Sequence, residues 1–138
     1  MDPDALAREL IASPTQERDA RLAGIACAAA ARRLGWALHA DCAAGWRQDP
    51  ARVQDAVDCI ALLALLHHDT ELAAVRDWLD GIAALGQGET ERACRLLKKS
   101  AATFMLLDGH ADAARAMSHL ADYVALRHAR MQQAAPAR

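Results

Sequence analysis

Aromatic residues are scarce in this chain: three tryptophans, one tyrosine and one phenylalanine, 4% of 138 residues. A core with so few large rings has to be filled by Ala, Leu, Val and Ile, and its elements have to approach one another closely. Glycine and proline are also sparse, at 7 and 4. That leaves little material for the many turns of an all-β chain and favours a few helices. Neither sign of charge dominates: 16 basic against 18 acidic residues, net −2. By totals this excludes the basic footprint of a nucleic-acid-binding domain. No apolar run reaches about 18 residues, so no membrane span is expected. The start, Met-Asp-Pro-Asp, is acidic where a secretory signal is basic, and a cytoplasmic location follows as the expectation. Cys27, Cys42, Cys59 and Cys94 form no C-x-x-C pair and lie in apolar, helix-like stretches. They read as buried free thiols of a reducing compartment.

What is present is alanine and leucine in helical order. With 54% hydrophobic and 25% charged residues, the chain is globular and long enough for one domain with its own core. The expected domain covers residues 1–131, with N-terminal helices over 2–48, repeat-like helices over 50–131, and a disordered tail over 132–138. Asp2-Pro3, Ser13-Pro14 and Asp49-Pro50 each join a capping residue to a proline suited to the first helical position. The second helix is expected to run through the small, apolar stretch from Leu22 to Ala31. Gly35 is a candidate interruption, and a further piece reaches about Gln48 with Trp36 and Trp46 fixing its packing. The apolar stretch Cys59–Leu66 reads as the centre of the core. Helices over 71–86, 89–107 and 111–130 follow, divided by Gly86-Gln87-Gly88 and Asp108-Gly109.

The stretch from Gly81 to Ala93 places two small residues twelve positions apart across a Gln87-Gly88-Glu89 turn. Small side chains at those points let paired helices cross closely, and Gly88 can end the first helix with a positive φ. In this spacing the chain resembles a tetratricopeptide repeat, most clearly over residues 71–107. Asp80 stands where that pattern has a bulky residue, and Asp108-Gly109 replaces its closing proline. A second pair, Ala44 and Ala56, has the same separation across Asp49-Pro50. The resemblance implies an all-α fold of antiparallel helical hairpins stacked in a tetratricopeptide-like array with an N-terminal helical cap. A non-repeating helical bundle is the other architecture these loop lengths allow.

Candidate chemistry is thin. His67 and His68 are neighbours and point about 100° apart on a helix, so they do not share a metal; Asp69 reads as the cap of the next helix. His39 and Cys42 supply two ligands where a structural zinc needs four. His110, His119 and His128 recur at nine-residue steps and do not converge. Ser13 and Ser100 occupy a cap and a helix, and Ser118 sits beside His119 without facing it. The G-Q-G turn lacks the length and lysine of a phosphate loop. No catalytic residue, metal or cofactor is assigned, and the chain is not expected to be an enzyme. Arg127, His128, Arg130 and Arg138 read as a solvated helix end and terminus.

The tetratricopeptide resemblance implies instead a concave face lined by the first helix of each pair. Carried onto this chain, it assigns Val75, Trp78, Ile82 and Leu85 to that face, joined by Tyr123. Such a groove suits a peptide or amphipathic helix of another protein, or another copy of this chain. The competing reading makes Trp78 and its neighbours core, covered by the N-terminal helices. The functional expectation is a non-catalytic protein–protein interaction module, a scaffold, adaptor or chaperone, with no nucleic acid and no membrane. Small chaperones of bacterial type III secretion systems share this fold class, which is an analogy of fold alone. The alternative is a helical bundle binding a small apolar ligand or cofactor, with the Cys59–Leu66 helix as one wall.

Overall fold

A computed structural model describes residues 2–134. Among the described residues there are seven helices and no strand: α1 (Pro3–Ala12), α2 (Thr15–Ala23), α3 (Ala28–Ala43), α4 (Pro50–His67), α5 (Thr70–Gly86), α6 (Thr90–Leu106) and α7 (His110–Ala134). None of them is long and apolar enough to cross a membrane. The N-termini follow the capping chemistry. Asp2 accepts from the Asp4 amide at 3.1 Å, Asp49 from Arg52 at 3.1 Å and Asp69 from Leu72 at 2.9 Å. Pro3 and Pro50 occupy first-turn positions where no amide donor is needed. Ser13 departs from the pattern: its hydroxyl donates to the Glu9 carbonyl at 2.7 Å and so serves the end of α1.

The C-termini of α4, α5 and α6 share one device. His68, Gly88 and Asp108 adopt φ of 47°, 78° and 60°, at intervals of 20 residues. In each turn the following amide reaches back to an orphan carbonyl: Asp69 to Ala64 at 3.2 Å, Glu89 to Ala84 at 2.9 Å and Gly109 to Phe104 at 2.7 Å. Helices of 17 or 18 residues joined by such tight turns have to run antiparallel. Two helices therefore recur every 40 residues, longer than the roughly 34 of a tetratricopeptide unit.

Helix α5 forms the centre. It packs against α3, α4, α6 and α7, and eleven of its residues, from Leu72 to Leu85, are buried. Gly81 sits where α6 crosses: an added Cβ would lie 2.8 Å from Leu97 Cγ. Ala93 is fully buried on the facing helix. Three polar ties fix the α5–α6 hairpin. The buried Ser100 hydroxyl donates to the Ala74 carbonyl at 2.7 Å. Arg92 Nη2 donates to both carboxylate oxygens of Asp80, at 2.8 and 3.0 Å. Lys99 approaches the buried Asp77 at 3.7 Å. Asp80 thus acts as a cross-hairpin clamp.

Trp78 is the hub of this core. Its fully buried ring lies 4.1 Å from His39, 6.1 Å from Trp36, 6.0 Å from Phe104 and 5.8 Å from His119, centroid to centroid. One side chain of α5 thereby joins α3, α6 and α7. The N-terminal helices cover the other side, with α1 and α2 both against α4 and α1 also against α3.

Several expectations from the sequence are corrected. The stretch from Leu22 to Ala31 is not one buried helix. It breaks over Gly24–Cys27, with Gly24, Ala26 and Cys27 exposed, and the break lets α2 pack on α4 while α3 packs on α1, α4 and α5. Gly35 does not interrupt α3; it admits Leu72, whose Cδ2 would lie 2.3 Å from an added Cβ. Ala44 falls beyond α3 and is exposed, so the Ala44–Ala56 pair makes no packed crossing. The Cys59–Leu66 stretch is core on one side only: Cys59, Ile60, Leu63 and Ala64 are buried, but Leu65 is 68% exposed. Of the cysteines, Cys42 and Cys59 are buried, whereas Cys27 is exposed and Cys94 half-buried. Helix α7 continues through Gln132, Gln133 and Ala134 of the expected tail, whose remainder, residues 135–138, lies outside the described residues.

Two substitutions test this packing. Trp78→Ala is expected to cost about 3–5 kcal/mol in urea unfolding, because the surrounding helices cannot close over the void. A loss below about 1 kcal/mol would contradict a core role. Gly81→Ala is expected to destabilise by about 1–3 kcal/mol through overpacking against Leu97, outweighing the roughly 1 kcal/mol it gains in helix propensity. A stabilised variant would show that α5 and α6 separate freely.

Candidate functional site

The structure divides the five residues assigned to a concave face. Val75, Trp78 and Ile82 are fully buried, and Leu85 is 3% exposed. Trp78 is covered by α3, α6 and α7, so Val75, Trp78 and Ile82 line no open groove. Tyr123 is half-buried on α7. Leu85 and Tyr123 are nevertheless brought together, at the end of the array where α5 finishes and α4 begins.

There they line a cleft of about 420 Å³ with Trp46, Arg47, Pro50, Gly86, Leu126, Arg127 and Arg130. One wall is the turn between α3 and α4. Gln48 closes this turn by donating to the Gly45 carbonyl at 3.1 Å, and Trp46 leans on the end of α5, where a Cβ at Gly86 would lie 3.5 Å from its ring. The Arg47 guanidinium covers the other part of that ring, 4.9 Å from the centroid, as a cation over an aromatic face. The opposite wall is α7. Tyr123, Leu126, Arg127 and Arg130 recur at steps of three and four and share one helix face. Thr90, at the start of α6, fixes this face: Arg127 donates to its hydroxyl at 3.2 Å, and the Tyr123 hydroxyl lies 3.5 Å from it.

The electrostatics of the cleft are one-sided. No carboxylate lines it. Among the described residues Arg47, Arg127 and Arg130 form no ion pair, whereas Arg18, Arg21, Arg32, Arg52, Arg76, Arg92 and Arg115 each do. Three cations on the walls of one cleft repel one another until an anion joins them.

The other polar groups singled out from sequence have structural partners. His68 forms the left-handed cap of α4, and Asp69 caps α5 and pairs with Arg32 at 2.7 Å. His119 Nδ1 accepts the Trp78 indole N–H at 3.0 Å. His110 meets the Met105 sulfur at 3.0 Å and His128 meets Gln132 at 3.1 Å. Cys42 donates to the Arg52 carbonyl at 3.7 Å, away from any ligand set. Among the described residues no three His, Cys, Asp or Glu side chains gather as a metal site. The Cys59–Leu66 stretch borders an open depression of about 340 Å³ that includes Ala61, Ala64, Leu65 and His68.

Sequence reasoning missed Trp46, Arg47, Arg127 and Arg130. The α7 residues carried a signal, the helical step from Tyr123 through Arg127 to Arg130. Trp46 and Arg47 carried none, because their position depends on where α3 stops. No model of a known protein family, no curated protein and no solved structure matches the chain.

His39 generates a test. Its ring is buried against Trp78, its Nε2 has no partner, and burial, reinforced by the charges of His119 and Arg115, pushes its imidazole down to about 3. Burial also lowers His119. The folded chain therefore keeps His39 neutral while the unfolded chain protonates it below about 6.5. Unfolding takes up a proton in that window, so stability is fully present above 6.5 and falls as the pH is lowered. The slope approaches about 1.4 kcal/mol per pH unit. Urea unfolding from pH 7 to pH 5 is expected to show this decline, and His39→Leu is expected to flatten it. Identical slopes for both proteins would refute the assignment.

Proposed function

We propose that this chain is a non-catalytic protein-interaction module, an adaptor or chaperone-like scaffold, and that it holds a partner segment in the cleft between the α3–α4 turn and α7. One observation carries this reading: the cleft is lined by Trp46, Tyr123, Arg47, Arg127 and Arg130. Tryptophan, tyrosine and arginine are the side chains that dominate binding energy at protein interfaces, because each combines a large apolar area with a directed polar group. Leu85 and Leu126 add apolar surface, and the walls are held by Thr90 and by the end of α5 before any partner arrives. A held wall loses less side-chain freedom on binding.

The reading keeps Leu85 and Tyr123 from the tetratricopeptide-like expectation and moves the binding surface to the end of the helical array. A non-catalytic role is supported by the structural employment of several reactive side chains. Ser100 is tied to Ala74, His119 to Trp78 and Cys42 to Arg52, and burial raises the Cys59 thiol to about 11. A thiol held protonated is a poor nucleophile.

Peptide selection by display tests the proposal. The intact chain is expected to enrich a shared short motif. The doubly substituted Trp46→Ala, Tyr123→Ala chain is expected to lose at least about ten-fold in affinity for that motif, about 1.4 kcal/mol. Its helical circular dichroism should match the parent. Failure to enrich any motif, or equal binding by the double variant, would reject the cleft as the partner site.

A further inference from the structure

We infer that the cleft selects an acidic peptide segment, one that places an aromatic or branched apolar side chain between Trp46 and Tyr123 with carboxylates on either side of it. This rests on the reading of the cleft as the partner site and adds the chemistry that the partner has to supply. The chain is net acidic, with 18 acidic residues against 16 basic, yet no carboxylate lines the cleft. Asp41, Asp55, Asp69, Asp77, Asp80 and Asp112 each hold an arginine of the same chain. Asp49, adjacent to the cleft, is occupied in capping α4. Arg47, Arg127 and Arg130 are left facing a common space without a counter-charge.

The three are arginines, whose planar fork matches a carboxylate through paired N–H donors. Two are already oriented: Arg47 lies over the Trp46 ring at 4.9 Å, and Arg127 is tied to Thr90 at 3.2 Å. Between them the surface is apolar, formed by Trp46, Leu85, Tyr123 and Leu126. A purely polar anion would leave that surface wet, and a purely apolar segment would leave three cations unpaired. A segment with both features satisfies both.

Aromatic rings beside arginines also suit single-stranded nucleic acid. Size favours the peptide: a space of about 420 Å³ has the dimensions of a small-ligand pocket and not of an extended strand track.

The test uses the full chain and three fluorescent probes in anisotropy titrations. These are a short peptide of glutamates around a central phenylalanine, the same peptide with glutamines, and a short oligothymidylate. The glutamate peptide is expected to bind at least about ten-fold more tightly than the other two and to weaken as salt is raised to about 0.3 M, where screening shortens to a few ångströms. Arg127→Gln and Arg130→Gln are each expected to weaken it roughly three- to ten-fold, with little change for the glutamine peptide. Both residues are exposed, and the variants should keep the parent's thermal midpoint. Equal binding of the two peptides overturns the charge selection and leaves the peptide site standing. Tighter binding of the oligothymidylate overturns it in favour of nucleic acid. Binding of neither peptide overturns both this inference and the partner site on which it rests.

Discussion

The indole N–H of Trp78, held by His119 at 3.0 Å inside the core, is the contact on which the arrangement turns. A buried indole donor without an acceptor costs about as much as a lost hydrogen bond, so α7 has to present its imidazole at that point. The same ring is flanked by His39 and Trp36 of α3 and by Phe104 of α6, and the Arg115 guanidinium lies 5.1 Å from its centroid. One side chain thus sets the positions of three helices around α5. Tyr123 and Arg127 follow His119 on the next turns of α7, so the wall of the cleft is placed by the core.

The antiparallel half of the chain is a second consequence of local rules acting at regular distance. Left-handed residues at 68, 88 and 108 end three successive helices of nearly equal length. A histidine and an aspartate take two of these positions, and only Gly88 is the residue for which a positive φ is free of strain. The polar ties across α5 and α6 are concentrated where the crossing is tight. Gly81 brings Leu97 close, and Asp80 holds Arg92 one step away. Close approach and ion pairing support one another there, because helices held at short distance keep the Asp80 carboxylate and the Arg92 fork within reach.

The cleft owes its character to an asymmetry in how charge is used. Ion pairs spread across α1 to α6 and the start of α7 absorb most of the acidic groups near basic ones. The cleft between the α3–α4 turn and the second half of α7 is lined by arginines and aromatic rings and by no carboxylate. Exposed surface pairs add little stability. Their larger effect here is to leave this cleft as a region where positive charge and apolar surface coincide.

Helical class, cap positions and most helix boundaries were legible in the residues themselves, because capping, proline geometry and glycine φ act within a few positions. Asp49-Pro50, Asp69, Gly88 and the three-and-four spacing of α5 are of this kind. The break after Ala23 was not legible: the stretch from Leu22 to Ala31 has the propensity to continue as helix, and packing of α2 and α3 on different neighbours ends it. The core role of Trp78 was also undecided by sequence, since periodicity shows that a face is apolar but not what covers it. Its burial was decided when α3 and α7 closed over α5. The site shows the same division. Tyr123 and Leu85 were candidates through the tetratricopeptide resemblance. Their meeting with Trp46, Arg47, Arg127 and Arg130 was decided only by tertiary structure, because those residues are distant in sequence and converge where the end of α5 meets the turn after α3.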